Sequence, residues 1–181
     1  HIFRLAAGAR DFAGHPIRRC SLSAVAVWRI AFSGALRLAD LGFGSTLGDG
    51  RWHTGCVGPR QLVYCGASRA LCQLEKRVHC NGAMPKNMAL MRLEIPASAA
   101  LLDVEQWAGQ ALAADWRQDK GLTQSVGMQW LDSQASLGLW VPSYVEPAER
   151  NLLLNPAHPD YLRIELVCEK NPFVFDPRLF I

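Results

Sequence analysis

Four features of this sequence could act on a charged ligand: an arginine in an apolar run, a glycine-rich segment, a glutamate and a tyrosine. The first is Arg29, a cation inside the otherwise apolar run from Val25 to Ile30. A guanidinium withdrawn from water is costly unless an anion or another acceptor meets it. Its position is therefore compatible with an anion-binding site, and equally with an internal salt bridge or an exposed place on an edge strand.

The second feature is a glycine-rich segment, residues 41–55, in which Arg51 and Trp52 follow Gly50. Free backbone N–H groups and an arginine fork suit a diphosphate, and an indole ring offers a stacking face. The glycine spacing matches neither the Rossmann fingerprint nor the Walker loop. Taken alone, the segment is also compatible with an ordinary glycine-rich turn.

Glu75 and Tyr64 are the other candidates that the pattern singles out. Leu71, Leu74 and Val78 form one stripe of a predicted helix, and Glu75 lies at its edge. A carboxylate partly withdrawn from water favours a functional or paired role, although many such acids are boundary residues without one. Tyr64 lies in a short apolar run, where core packing with a satisfied hydroxyl is the alternative.

The elements that must position these residues follow from periodicity and punctuation. We predict strands at 25–30, 61–65 and 88–95, and a helix from the N-cap Ser68 to about Cys80 that stops at Asn81-Gly82. The region 101–140 is predicted to be mostly helical, broken at Gly121 with Thr123 as a possible cap. Short strands are predicted at 139–141, 151–154 and 162–168, and a last strand at 173–175. Strands outnumber βαβ units, so the sequence predicts a single α+β domain rather than a doubly wound sheet.

Composition limits the function classes. Half of the 181 residues are hydrophobic and 19% are charged, which excludes a disordered chain, and no apolar run is long enough for a membrane span. A net charge of +3 without a block of basic residues argues against direct nucleic-acid binding. We expect a domain over 25–181, preceded by a basic leader, residues 1–24, that packs on it or acts as a targeting segment.

The six cysteines contain no CxxC pair and match no common zinc module. Cys80 beside His79 is the one possible metal corner, and it lacks further ligands. We expect reduced thiols, no bound metal and a cytoplasmic protein.

Taken in order, several short segments resemble the RES domain. They are Trp28-Arg29-Ile30, Gly48-Asp-Gly-Arg-Trp-His-Thr-Gly55, Val63-Tyr64, Leu71-Cys-Gln-Leu-Glu75 with Val78-His79, Val141-Pro-Ser143, and Asn155-Pro-Ala-His158-Pro159. The family takes its name from Arg, Glu and Ser, which match Arg29, Glu75 and Ser143 here. The pattern runs from about residue 25 to Asp176-Pro-Arg178. One departure is His53, where family members commonly have Asn.

The resemblance implies a fold like that of ADP-ribosyltransferase toxins, with a split β core around an NAD+ cleft. Family members act on NAD+ by hydrolysis or by ADP-ribosyl transfer, and they are typically encoded beside an Xre-type antitoxin. It thus implies a toxin with NAD+ as substrate, an Xre-type antitoxin as partner and, for a transferase, a cellular target protein. An exposed arginine-lined cleft would receive an acidic or carboxyl-terminal antitoxin segment.

We hypothesise a role for each candidate on this basis. Arg29 and Arg51 would hold the diphosphate and nearby ribose oxygens, and Tyr64 would stack on or flank the nicotinamide. Trp52 and His53 would line the loop side of the ligand. Glu75 would stabilise the oxocarbenium-like sugar, and Ser143 would position Glu75 or a ribose hydroxyl. The rival hypotheses are a RES-like domain that binds without catalysis and a ribonuclease toxin, against which the weak charge and the lack of paired histidines argue.

Overall fold

The first strand, β1 (Val25–Phe32), forms where β-branched and aromatic side chains follow one another, as the sequence predicts. A computed structural model describes residues 24–180 of the chain, so the predicted leader lies outside the described residues apart from Ala24. β1 runs two residues beyond its predicted end at Ile30. Its extension completes a continuous antiparallel pairing with the strand at 88–95.

Within residues 24–180, seven strands form one mixed sheet. The other six are β2 (Val63–Gly66), β3 (Met88–Ile95), β4 (Leu101–Asp103), β5 (Gly138–Pro142), β6 (Arg150–Leu154) and β7 (Glu165–Phe173). Their order is β4-β5-β6-β2-β1-β3-β7, and every neighbouring pair is antiparallel except β4 and β5. The predicted α+β class is confirmed.

Three α-helices accompany the sheet in the described residues: α1 (Arg69–Val78), α2 (Val104–Ala108) and α3 (Lys120–Ser133). The predicted cap of α1 is confirmed, since the Ser68 side chain accepts a hydrogen bond from Leu71 N at 3.1 Å. The helix ends two residues before Cys80. The turn that follows it uses positive φ angles at Asn81 and Gly82, 47° and 83°.

The sheet is nearly divided between β1 and β2. β1 pairs with β3 at eight successive positions, whereas it pairs with β2 at one, Trp28 opposite Gly66. The two strands separate on either side of this position, and we call the gap the seam. The split β core predicted from the resemblance is thus present.

Three apolar clusters of the described residues pack against the two faces of the sheet. One face carries a single continuous cluster that includes Val27, Val63 and Met91. The opposite face carries two, one packed under α3 around Trp130 and Leu153, the other around Ile30 and Phe173. Because α1 contacts both β1 and β2, it lies over the seam on the face with two clusters.

Two parts of the secondary-structure prediction are wrong. The region 101–140 is not mostly helical: it begins with β4 and the one-turn α2, and α3 starts at the cap Asp119, so Gly121 and Thr123 lie inside the helix. Pairing of β4 with β5 overrides the helical propensity of this segment. The strands predicted at 162–168 and 173–175 are one strand, β7, preceded by a 3₁₀ turn at Pro159–Arg163.

The structure also shows the state of the cysteines, the grouping of metal-ligating side chains and the length of the helices in the described residues. The five cysteines within residues 24–180 are free thiols, and Cys56, Cys65 and Cys72 are buried among apolar side chains. In that part of the chain, no group of three or more His, Cys, Asp or Glu side chains is arranged to hold a metal ion. No helix there is long and apolar enough to cross a membrane.

Candidate active site

Glu75 lies on the inward face of α1 and not at the edge of an apolar stripe. Leu71 and Cys72 are the buried apolar residues of the helix, whereas Leu74 and Val78 are 42% and 51% exposed. The predicted stripe was therefore wrong by about one position around the helix. The carboxylate at position 75 points inward because partners on the sheet receive it.

Two side chains from the sheet hold the Glu75 carboxylate. Ser143 Oγ donates to Glu75 Oε1 at 2.7 Å, and Asn151 Nδ2 donates to the same oxygen at 2.6 Å. Within the described residues no hydrogen bond is formed to Oε2. The helix thus presents a carboxylate that is fixed through one oxygen and keeps the other oxygen available.

Ser143 is fully buried at the end of β5, and its hydroxyl has a fixed direction. The oxygen accepts the backbone N–H groups of Val145 and Glu146, each at 3.1 Å. Because these groups occupy the oxygen as an acceptor, its single proton is free to point at Glu75. Ser143 therefore orients the carboxylate, which is one of the two roles hypothesised for it.

The hydroxyl of Tyr64, on β2, is held by His53. The Nε2 atom of His53 lies 3.2 and 3.0 Å from the carbonyl oxygens of Ser45 and Gly48, which only accept, so Nε2 carries the proton. Burial lowers the pKa of His53 and keeps the imidazole neutral. Nδ1 then accepts the Tyr64 hydroxyl proton at 2.8 Å, and the phenol oxygen accepts from Trp52 N at 3.1 Å.

The glycine-rich loop is fixed to α3 by backbone contacts. Thr123 Oγ1 donates to the Arg51 carbonyl at 2.8 Å, and Gln124 Nε2 donates to the Gly50 carbonyl at 2.9 Å. A side chain at Gly127 would collide with the Trp52 carbonyl, and a Cβ at Gly50 would lie 2.8 Å from the Tyr64 hydroxyl. These two glycines permit the close approach that fixes Arg51.

Arg51 and Trp52 point in different directions from this loop. Trp52 is 2% exposed and packs against Trp116 in the cluster under α3, with ring centroids 5.9 Å apart. It has no open face for a ligand, so we assign it to packing. The Arg51 guanidinium lies 4.4 Å from the ring centroid of Tyr144, next in the chain to Ser143, and its buried Nη1 has no hydrogen-bond partner.

Arg29 lies at the seam. Its neighbours Trp28 and Ile30 pack with the cluster on the α1 face, so its side chain leaves β1 in the other direction. Nη1 donates to the Tyr64 carbonyl at 2.6 Å and Nη2 to the Leu41 carbonyl at 2.9 Å, while the buried Nε has no partner. The guanidinium thus replaces backbone pairing where β1 and β2 separate, and it forms no carboxylate pair within the described residues.

The charges of Glu75 and Arg51 both reach the Tyr64 phenol. Burial is the largest cause of its raised pKa; the Glu75 carboxylate adds to the rise and the Arg51 guanidinium opposes it. The structure therefore brings Tyr64, Glu75, Ser143 and Arg51 together. The Arg29 side chain is directed to the opposite face of the sheet and meets only the backbone of Tyr64 at the seam. His53 supports Tyr64 from within the loop.

Asn151 is the residue that the sequence analysis missed. It shares a face of β6 with Leu153, which pairs with Tyr64, and it donates to Glu75. The available signal was an amide at the start of an otherwise apolar strand, because a buried amide needs a partner. What the pattern could not supply was that partner, since Glu75 is 76 residues away along the chain.

The comparisons with known proteins identify the family of this chain and agree with its fold. The RES domain family model matches residues 26–176, so the chain belongs to the RES domain family. It is 37% identical over 157 residues to a protein of Sphingobium sp. (strain YBL2) named Prs ADP-ribosylating toxin, covering 84% of this chain and 94% of that protein. It is 34% identical over 158 residues to a Toxin Res of Yersinia enterocolitica, covering 84% and 98%.

A solved structure shares the fold at low sequence identity. It is described as the crystal structure of the M. tuberculosis MbcT–MbcA toxin–antitoxin complex, and it matches with a TM-score of 0.61 and 18% identity over 87% of each chain. At this identity the likeness concerns the fold alone. It supports the split sheet as the framework on which the site is built.

Proposed function

We propose that this protein cleaves the nicotinamide–ribose bond of NAD+ and transfers ADP-ribose to an acceptor protein. One observation carries the proposal: Glu75, held through a single oxygen by Ser143 and Asn151, lies near Tyr64, and so does Arg51, which has no carboxylate partner in the described residues. An anion for a cationic sugar and cations for a diphosphate are the two electrostatic requirements of this reaction.

Glu75 acts at the bond that breaks. As the bond between ribose C1′ and the nicotinamide nitrogen breaks, its electron pair leaves with nicotinamide, which becomes neutral, and positive charge moves onto the ribose. The fixed carboxylate stabilises this charge more in the transition state than in the ground state, where the charge still lies on the nicotinamide ring. Ser143 and Asn151 keep the carboxylate from turning away, so little reorganisation accompanies the reaction.

The arginines bind the other end of the substrate. Arg51 Nη1 and Arg29 Nε are buried N–H donors without a partner, and such donors are costly until an acceptor fills the place. Phosphate oxygens accept charge-assisted hydrogen bonds from guanidinium groups. In this proposal Arg51 reaches the diphosphate from the loop, and Arg29 supports the seam while its spare donors reach the diphosphate or ribose.

Tyr64 provides a ring and not a base. Its hydroxyl proton is committed to His53, and burial raises the pKa of the phenol. The half-buried ring then flanks the nicotinamide, which excludes water from one side of the reacting bond. His53 contributes by fixing that ring and makes no contact with the ligand in this arrangement.

The acceptor decides between transfer and hydrolysis. A nucleophilic side chain of another protein attacks C1′ and releases its proton in a transferase, whereas water does so in a glycohydrolase. The name of the Sphingobium relative, an ADP-ribosylating toxin, supports transfer. We expect protein labelling to accompany nicotinamide release.

The test incubates the protein with NAD+ labelled in the adenylate and with bacterial lysate. A labelled protein band from the wild type, absent with Glu75→Gln, would support transfer through this site. Free labelled ADP-ribose without a labelled protein band would show that the reaction is hydrolysis and not transfer. An unchanged NAD+ pool would reject both reactions.

We further propose that an antitoxin of the Xre type covers the cleft. The M. tuberculosis structure contains a toxin with its antitoxin, which supports a partner of this class. A free arginine cluster beside the Glu75 site would receive an acidic segment of such a partner. Co-expression with the neighbouring gene product, followed by co-purification and an NAD+ assay, tests this. A stable complex with full activity would contradict it.

A further inference from the structure

Arg117 is a second cation beside Tyr144, and neither the sequence pattern nor the proposed reaction has given it a role. It lies in the irregular segment between α2 and α3, and its guanidinium is 5.3 Å from the ring centroid of Tyr144. Arg51 is 4.4 Å from the same centroid. Two guanidinium groups therefore share one aromatic ring, and we call the three residues the arginine clamp.

The clamp lies beside the reacting groups. Tyr144 follows Ser143, whose hydroxyl holds Glu75 at 2.7 Å. Arg117 Nη2 also donates to the Tyr144 carbonyl, which ties the segment before α3 to the end of β5. Tyr144 is 47% exposed, and its ring packs edge to face against Trp116 with the ring centroids 6.2 Å apart. The ring is therefore fixed by packing on one side and accessible to solvent on the other.

The arginines of the clamp differ from most others in the described residues. Seven arginines there pair with a carboxylate: Arg37, Arg60, Arg69, Arg92, Arg150, Arg163 and Arg178. Four do not: Arg29, Arg51, Arg77 and Arg117. Arg77 is held by the Leu179 carbonyl and the Phe180 ring, away from the site. The other three lie at the cleft or its seam.

Each clamp arginine keeps a buried donor without an acceptor. Arg51 Nη1 and Arg117 Nε are both inaccessible to solvent, and neither has a hydrogen-bond partner among residues 24–180. Neither arginine forms a salt bridge with a carboxylate of the described residues; Asp119 caps α3 and Glu146 accepts from Ala148 N at 3.2 Å. Two like charges on one ring repel each other, and an anion between them relieves both the repulsion and the unmet donors.

We propose that the arginine clamp is a phosphate subsite and that Arg117 binds the diphosphate of NAD+ together with Arg51. Tyr144 holds both forks near one place, with the guanidinium groups 4.4 and 5.3 Å from its ring centroid. Because the clamp contacts the part of the substrate remote from the reacting bond, Arg117 contributes to binding and not to the chemical step. This inference rests on the proposed function, and it extends the site to a residue outside the resemblance.

Titration calorimetry on the purified protein tests the subsite with two probes, ADP-ribose and inorganic pyrophosphate. Arg117→Gln is expected to weaken binding of both about tenfold, the loss of one charge-assisted hydrogen bond in a half-exposed place. NAD+ turnover by the same variant is expected to show a raised KM and an unchanged kcat. Arg60→Gln, which removes a surface arginine paired with Asp132, is the matched control and should bind as the wild type does.

The Arg117→Lys variant distinguishes the effect of a directed hydrogen-bond donor from the effect of positive charge alone. It also takes the place of the Gln variant if that variant fails to fold. It keeps the cation but loses the planar fork, so we expect an intermediate affinity. Binding of both probes by the Lys and Gln variants at wild-type affinity would overturn the subsite while leaving NAD+ cleavage standing. Arg117-dependent pyrophosphate binding in a protein that binds no ADP-ribose would keep the subsite and reject the proposed reaction.

Discussion

The two sides of β1 differ in how they are held. Toward β3, the strand pairs at eight positions over a continuous apolar cluster. Toward β2, it pairs at one position, and the Arg29 guanidinium donates instead to the backbone carbonyls of Tyr64 and Leu41. We call these the closed side and the open side.

The comparison shows where stability and chemistry are located in this fold. The closed side is held by burial of apolar side chains, which is non-directional and tolerates no ligand. The open side is held by hydrogen bonds of single side chains to backbone or to one another, and several of its donors are unmet. A polar ligand can therefore bind on the open side without displacing core packing. Four substitutions can break or sharpen this contrast.

On the closed side, Met91→Ala is expected to lower the free energy of unfolding by about 2–5 kcal/mol, because the side chain is fully buried in β3 and its removal leaves a cavity. The NAD+ turnover per folded molecule should stay that of the wild type. Urea denaturation and a low-temperature assay measure the two quantities. Met84→Ala, at a position 38% exposed, is the matched control. A loss of turnover in folded Met91→Ala would erase the distinction between the sides.

On the open side, Glu75→Gln should show the reverse. We expect NAD+ cleavage to fall by about 10²–10³, or roughly 2.7–4 kcal/mol, because the negative charge is lost while the amide oxygen still accepts from Ser143 and Asn151. Stability should change little. Nicotinamide release is the assay, with exposed Glu165→Gln as the control. Wild-type turnover would remove Glu75 from the mechanism.

Arg29→Leu should affect both quantities, because Arg29 lies at the boundary of the two sides. The carbonyls of Tyr64 and Leu41 lose their donors, which costs about 1–3 kcal/mol of stability. Affinity for ADP-ribose should fall as well. Arg37→Leu, at an exposed arginine, should leave stability and affinity unchanged. If Arg29→Leu unfolds as the wild type does, the seam is held by something other than this guanidinium.

His53→Asn is expected to have the smallest effect, seen in the pH dependence of stability. Burial lowers the pKa of His53 in the folded protein, so the unfolded chain binds the proton first as the pH falls. Stability from this residue is complete above the unfolded pKa of about 6.5 and is lost as the pH falls from there toward the folded pKa. Thermal melts from pH 7.5 to 5 should therefore slope less in the variant than in the wild type. His53→Asn would keep the wild-type slope if the imidazole were not buried neutral.

Local patterns in the sequence were sufficient for the closed side. β3 was predicted with its observed bounds and β1 two residues short, because their side chains are nearly all apolar and a proline ends β3. The start of α1 was likewise predicted, because the Ser68 cap is a local signal. These elements depend on residues within a few positions of one another.

The open side could be predicted only in part. The resemblance identified Arg29, Glu75 and Ser143, but periodicity placed Glu75 at the edge of the wrong stripe. The inward position of a carboxylate depends on Ser143 and Asn151, which no local pattern connects to α1. Trp52 was hypothesised to line the ligand and is packed against Trp116, a contact between a loop and a distant turn. Such non-local pairings are what a single sequence leaves undetermined.

The two hydrogen bonds on Glu75 also set an order of events during synthesis. The bond from Ser143 spans 68 positions of the chain and the bond from Asn151 spans 76. The helix α1 therefore leaves the ribosome long before the strands that hold its carboxylate. Until β5 and β6 are made and docked, Glu75 remains unrestrained, and closing such long loops is the entropically costly, late part of folding. The Glu75 carboxylate is thus fixed only after β5 and β6 have been made, although its own helix is made much earlier.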